Sequence, residues 1–181
     1  MKPIVCVPHP VLTTPAKQVT EFDSNLSKLI TDMQKTLIAT VNPKGVGLAA
    51  TQIGVGLRIF LTRPKETSHI RVFINPEIVK QFNELTDGVP GRKNPLEGCL
   101  SIPNIWGNVK RASGVTLRYQ DESGQVRQEE FTGFLATIIQ HETDHCNGIL
   151  YTQRVLEQKE KLYQTAKDED GKEVLEEIKI Q

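Results

Sequence analysis

Residues 134–145 read FLATIIQHETDH, and this run decides both a helix and its chemistry. Apolar residues at Phe134, Leu135, Ile138 and Ile139 follow helical spacing and predict a buried helix over about residues 133–147, with Thr132 placed to cap it and Gly148 to end it. Four residues turn a helix by roughly 400°, so His141 and His145 lie about 40° from eclipsed and can offer two imidazoles to one metal ion. Glu142 sits one position past the first imidazole. From there it can reach a water on that ion without being a ligand, as a general base must. Burying two histidines and a glutamate with no metal between them would be costly.

A catalytic metal centre takes three protein ligands and keeps a position open, so a third ligand is needed. In HExxHxxGxxH it is a histidine six residues after the second; Gly148 is present, but Tyr151 stands at the ligand position. A glutamate from a following helix is the other familiar solution, and its candidates Glu157, Glu160 and Glu169 lie in a stretch that reads as exposed. His9 and His69 have no companion motif and read as surface or structural residues. Cys99 fits better. It lies in EGCLSIP at 97–103, at the edge of an irregular segment where a strand or loop end can present a thiolate. Cys6 and Cys146 read as small buried apolar residues.

The rest of the chain bounds the function. Its 181 residues carry 22 Lys+Arg and 22 Asp+Glu, with 38% hydrophobic residues. One domain of that size buries on the order of 70% of its unfolded surface, enough for a core without disulfides. Balanced charge offers no electrostatic footprint for direct nucleic-acid or membrane binding. No stretch approaches the roughly 20 apolar residues of a membrane span, and the prolines of MKPIVCVPHP interrupt the apolar run of a signal peptide. Three cysteines are too few and too odd in number for a disulfide framework, so a reduced compartment and a cytoplasmic protein are expected.

Prolines at 3, 8, 10 and 15 predict an extended N-terminal arm. From Asp23 or Ser24, the apolar residues Leu26, Leu29, Ile30, Met33, Leu37, Ile38 and Val41 predict an amphipathic helix ending before Pro43. Beta-rich runs at 57–62, 70–74, 114–120 and 126–132, with DESG at 121–124 as a hairpin turn, favour antiparallel pairing. Residues 83–96 show no periodicity and read as a long loop. The run after Tyr151 reads as an exposed helix, giving a single catalytic domain over residues 1–181 with a charged helical extension at 152–181.

Three stretches carry a family resemblance: GVGLAATQ at 45–52, EGCLS at 97–101 and QHETDH at 140–145. In this order they resemble the motifs of the peptide deformylases, and the wider pattern covers residues 3–155, including INPEI at 74–78. The resemblance implies an α+β metallohydrolase, with antiparallel sheets packed around the HExxH helix and with N-terminal and C-terminal helices. It implies removal of the formyl group from N-formylmethionine at the start of nascent polypeptides, releasing formate. Matched by position, Cys99, His141 and His145 hold the metal. Glu142 is the base and then the acid, while the Gln52 side chain and the Leu100 N–H stabilise the oxyanion. One thiolate and two imidazoles suit Zn²⁺ and Fe²⁺, and the resemblance implies Fe²⁺ in the cell, replaceable by Zn²⁺, Ni²⁺ or Co²⁺. It also implies transient ribosome contact through the C-terminal helix, although residues 151–181 hold six basic against eight acidic groups.

The same motifs suggest a substrate cleft. Glycine at 45 and 47 lets backbone approach a ligand, so Val46, Gly47 and Gly98 could pair with an extended peptide. Thr137 and Ile138, with Phe134 and Val46, would line a pocket for the methionine side chain. Glu97, Asp144 and Arg111 are candidates for orienting the ligands. Trp106 stands where relatives often carry an arginine, which hands contact with the second or third substrate residue to stacking or apolar area. Two other readings stay open: an HExxH peptidase that cleaves unformylated peptides, and a non-catalytic metal-binding or ribosome-associated module. The latter leaves Glu142 and Gln52 idle and would need a fourth protein ligand.

Overall fold

Asp23 sets where the first helix begins, because its Oδ1 accepts the backbone N–H groups of Asn25 at 2.9 Å and Leu26 at 3.0 Å. These donors have no partner inside the helix itself. In the computed structural model, which describes residues 1–41, 44–91 and 95–179, helix α1 spans Ser24–Ala39. Leu26, Ile30, Met33 and Leu37 form its buried stripe, whereas Ile38 and Val41, which share the apolar periodicity, are 52% and 76% exposed. Pro43, expected just past the helix end, lies outside the described residues.

Eleven strands and two further helices follow among the described residues. The strands are β1 (Gly47–Ala49), β2 (Ile59–Thr62), β3 (Arg71–Gln81), β4 (Leu85–Asp87), β5 (Glu97–Cys99), β6 (Ile102–Gly107), β7 (Lys110–Ala112), β8 (Gly114–Gln120), β9 (Val126–Thr132), β10 (Leu162–Lys167) and β11 (Glu173–Glu177). The helices are α2 (Gly133–Cys146) and α3 (Tyr151–Glu157). All strand pairings between these elements are antiparallel, as the short turns predicted, and the class is α+β.

The larger sheet has the order β1-β2-β3-β8-β9. Successive side chains of a strand point to opposite faces. Ile59, Leu61, Val72 and Ile74 therefore join Leu48 against α1, while Phe60 and Phe73 point the other way, against Ala136, Ile139 and Cys146 of α2. Because both faces of β2 are covered, it reads as a continuous apolar run. The smaller sheet, β11-β10-β6-β5, packs Ile102 and Leu162 on Tyr151 and Val155 of α3.

Two expectations are corrected. First, of the helical extension expected over 152–181, only residues 152–157 are helix among the described residues. Helix α3 stops at Glu157, Lys159 has φ +58°, and β10 and β11 form a hairpin that extends the smaller sheet through β6. The turn is DEDGK: Asp168 Oδ1 accepts the N–H groups of Asp170 and Lys172, and Gly171 has φ +75°. Good helix formers in this run are overridden by that turn and by the hydrogen bonds β6 offers. Second, the 83–96 segment is not all loop, since it contains β4, which pairs with β7 at 110–112; residues 92–94 lie outside the described residues.

Gly148 and Gly171 share a left-handed backbone, at φ +73° and +75°, but differ in surroundings. A Cβ at 148 would lie 2.8–2.9 Å from backbone atoms of Thr13, Thr14 and Pro15, whereas at 171 it meets nothing within 4 Å. Gly171→Ala is expected to cost about 1 kcal/mol and Gly148→Ala about 2–4 kcal/mol. Denaturant midpoints of the two variants check this, and equal losses would contradict the close approach of the N-terminal arm.

Candidate active site

Helix α2 starts at Gly133, whose φ of +62° turns the chain out of β9. Thr132 occupies the cap position, although its side chain makes no capping bond. Ile139 and Cys146 face the Phe73 core, which leaves His141 and His145 on another face with ring centroids 5.0 Å apart. Gln140 grips β7: its Oε1 accepts the Ala112 N–H at 3.1 Å and its Nε2 donates to the Ala112 carbonyl at 2.9 Å.

Cys99 arrives from the smaller sheet. The β5–β6 register shifts between Gly98 and Cys99, an irregularity of the kind that re-aims a side chain. Its Sγ lies 3.2 Å from His145 Nε2. The potential ligand atoms of Cys99, His141 and His145 all fall within 4.8 Å of one another, and the two ligand-bearing elements are largely buried there.

The neighbours of this triad orient it. Glu97 Oε2 accepts from His141 Nδ1 at 3.1 Å, which leaves Nε2 free for a ligand. Arg111 holds the same carboxylate in a two-pronged grip at 2.6 and 3.0 Å and reaches Asp144 at 3.0 Å; Asp144 also takes Arg154 at 2.8 Å. Burial alone would raise the Glu97 pKa, but the Arg111 charge and the His141 hydrogen bond bring it to about 2. Tyr151, at the position a third histidine would need in HExxHxxGxxH, instead stacks on the His141 ring at 5.9 Å.

Glu142 is buried, and burial pushes its carboxyl up to about 7 against the lowering effect of the two imidazoles. Its Oε2 has no hydrogen-bond partner among the described residues. A Cβ at Gly47 would stand 2.3 Å from Glu142 Oε1, so glycine there is what lets β1 pass beside the carboxylate. Gln52 accepts the Ala49 N–H on Oε1 at 2.9 Å, which turns its NH₂ toward Cys99 Sγ and Ser101 Oγ, each at 3.4 Å. The donor set of one sulfur and two nitrogens fits a divalent ion of the zinc or ferrous kind. A solvent molecule beside such an ion would also satisfy the unpartnered Glu142 oxygen.

The triad opens into a cleft of about 340 Å³. Every residue expected to meet substrate lines it: Val46, Gly47, Gly98, Trp106, Phe134, Thr137 and Ile138, together with Gln52 and Leu100. Two sheet edges flank it, since β1 ends the larger sheet and β5 ends the smaller one. Sequence reasoning missed Val89, Thr165 and Glu173, which also line the cleft. Val89 falls in the segment read as loop, and the other two on the hairpin read as helix; the Asp-Gly pairing in DEDGK was the available signal for that hairpin. Of the remaining candidates, Cys146 is buried as expected, with its thiol pushed up to about 12 by burial. Cys6 is exposed, a correction, and its Sγ lies 4.0 Å from the Leu100 carbonyl. His9 and His69 are exposed and apart from the site.

Comparison with known proteins agrees with this geometry. A family model described as Polypeptide deformylase matches residues 1–161. The chain is 38% identical over 171 residues to the peptide deformylase of Dehalococcoides mccartyi (strain CBDB1), covering 94% of this chain and 95% of that protein. It is 44% identical over 147 residues to that of Heliobacterium modesticaldum, covering 81% and 88%. Among solved structures, the peptide deformylase from Thermotoga maritima matches with a TM-score of 0.76 at 37% identity, over 86% of this chain and 97% of that one. The Met-Ala-Ser-bound class I type b peptide deformylase from Acinetobacter baumannii matches with a TM-score of 0.75 at 31% identity, over 86% and 98%. The chain therefore belongs to the peptide deformylase family, metal-dependent enzymes that remove the formyl group from nascent peptides.

Proposed function

We propose that the chain works as one catalytic unit in which Cys99, His141 and His145 hold a single divalent cation and Glu142 carries the proton during deformylation of N-formylmethionyl peptides. The observation that supports it most directly is the meeting of three ligand atoms within 4.8 Å beside a buried carboxylate with an unpartnered oxygen. The ion, when bound, supplies Lewis acidity and lowers the pKa of water toward ~7. Glu142 takes the proton of the attacking water and delivers it to the amine nitrogen as the C–N bond breaks. Burial raises the Glu142 carboxyl above the ordinary carboxylate range, which makes it a better proton acceptor for a group that is base and then acid. The Gln52 NH₂, aimed by the Ala49 hydrogen bond, and the Leu100 N–H serve the oxygen that gains negative charge.

Backbone pairing supports an extended substrate. Arg63 N–H donates to the Val46 carbonyl at 2.7 Å, so 46 and 63 form a bonded pair; bonded pairs alternate along an antiparallel ladder, which turns the Gly47 polar groups toward the open edge. With Gly98 opposite, a peptide can add as a strand. Val46, Phe134, Thr137 and Ile138 then receive the methionine side chain. The Acinetobacter baumannii relative, bound to Met-Ala-Ser, is in keeping with a ligand that begins with methionine. Trp106 offers its ring to the residues that follow.

We assign Fe²⁺ as the cellular ion on the family resemblance, with Zn²⁺, Ni²⁺ or Co²⁺ able to substitute, since a thiolate with two imidazoles suits this whole group of ions. The relatives are of bacterial type, which supports a cytoplasmic location with nascent chains as substrate. Any transient ribosome contact at the C-terminal end would use the β10–β11 hairpin in place of the expected helix.

Glu142→Ala is expected to keep its metal and lose roughly 10²–10⁴ in kcat, while Cys99→Ala loses the metal. Formate release from formyl-Met-Ala-Ser with elemental analysis of both variants checks this; near-native turnover by Glu142→Ala would refute the proton carrier. Wild type should leave unformylated Met-Ala-Ser intact, since its cleavage would favour the peptidase reading.

Purified without oxygen, the protein should hold iron close to one per chain, and that content should fall as pH is lowered, because protons compete for the thiolate and imidazoles. Stoichiometric zinc alone under those conditions would refute the iron assignment. Glu97→Gln should weaken metal affinity by roughly 10–100-fold, read in chelator competition at neutral pH. An unchanged affinity would show that Glu97 does not orient His141.

A further inference from the structure

The β10–β11 hairpin begins at Leu162, beyond the residues the family model matches, yet it contributes Thr165 and Glu173 to the cleft. Register explains how. Tyr163 pairs with Trp106 in β6, so the two-residue period puts Trp106, Tyr163 and Thr165 on one face and Leu162 on the other, packed against α3. Thr165 pairs with Leu175 and Lys167 with Glu173, which carries that face on to β11. Trp106 is fixed across the smaller sheet: its Nε1–H donates to Thr165 Oγ1 on β10 at 2.9 Å, and its ring covers Gly98 on β5, where a Cβ would lie 2.6 Å from Cζ3.

Charge along the cleft singles out one group. Lys44 is paired with Glu66 at 2.6 Å, Glu97 is locked on Arg111, and His141 and Glu142 belong to the catalytic centre. On the hairpin, Glu177 is paired with Lys161 at 2.6 Å and Glu176 accepts from Gln164 at 3.5 Å. Glu173 is exposed, and its carboxylate makes no ion pair among the described residues; Lys167, its cross-strand neighbour, is not part of the cleft lining. Among the described residues, the outer cleft thus presents one negative charge without an ion-pair partner beside an apolar indole wall.

We propose that this hairpin is the outer wall of the substrate cleft and that Glu173 makes the enzyme favour formylmethionyl peptides with Lys or Arg, over those with Asp or Glu, at the two positions after methionine. The inference rests on the deformylase reading of the site. An exposed charge pair in screened water is worth roughly a two- to fivefold preference.

The test compares kcat/KM for formate release from formyl-Met-Ala-Lys and formyl-Met-Ala-Glu, and from formyl-Met-Lys-Ala and formyl-Met-Glu-Ala. Wild type, E173Q and E173K are measured at low ionic strength and in about 0.5 M salt. The Lys-to-Glu ratio should exceed one in wild type, fall toward one in E173Q and in salt, and invert in E173K. Equal ratios in wild type and E173Q, or a wild-type ratio that salt leaves unchanged, would overturn the role of Glu173. Absence of formate from all four peptides would sink the deformylase reading itself, whereas release that is blind to charge sinks the hairpin proposal alone.

Discussion

Glu97 lies buried between the guanidinium of Arg111 and the imidazole of His141, and the catalytic centre depends on that arrangement. Removing charges from water is expensive, and a buried pair repays the cost only when its geometry is good and its remaining donors and acceptors are met. Here they are met in sequence: Arg111 grips Glu97 with two nitrogens and gives a third to Asp144, which takes Arg154 in turn. The chain of charges crosses from β5 to β7, then to α2 and α3. Its benefit lies in direction. With Nδ1 committed to Glu97, the His141 ring presents Nε2 on the side where Cys99 and His145 converge, and rotating that ring would cost the buried carboxylate one of its three donors.

The fold supplies the rest by bringing together elements that are distant in the chain. One sheet edge delivers Gly47 and, through the turn after β1, Gln52; the edge of the second sheet delivers Gly98 and Cys99; α2 delivers the two imidazoles and Glu142. Each edge carries a glycine because something large lies against it, Glu142 in the first case and Trp106 in the second. The N-terminal arm bridges both loops, as Val5 N–H donates to the Gln52 carbonyl at 2.9 Å and Val7 N–H to the Ser101 carbonyl at 3.0 Å. The arm thereby ties the backbone of the turn that carries Gln52 to that of the loop just after Cys99.

Much of this was readable from residues alone where the signal is local. Asp23 before an apolar stripe gave α1, DESG between two beta-rich runs gave the β8–β9 hairpin, and HETDH in an apolar helix gave α2 and its imidazoles. Cys99 emerged because the other third-ligand candidates sat in the wrong place. Strands of three residues, such as β4, β5 and β7, were not legible, since so short a run carries no period and exists only when a partner supplies its hydrogen bonds. The C-terminal run misled for a related reason: Glu, Lys and Gln favour a helix in isolation, but β6 offered an open edge and DEDGK a turn.

What the amino-acid order by itself determined is therefore the chemistry: which side chains can bind a metal, which can carry a proton, and which helix holds them at the right spacing. Those properties follow from residue identity and from a 3.6-residue turn, and neither needs a distant partner. Only the tertiary structure decided that Arg111 and Asp144 act with Glu97 as one charged network, that Trp106 is braced by Thr165, and that Glu173 overlooks the cleft. Each of these is a contact between residues far apart in the chain, settled by strand register and by the need of buried charges to find opposite charges.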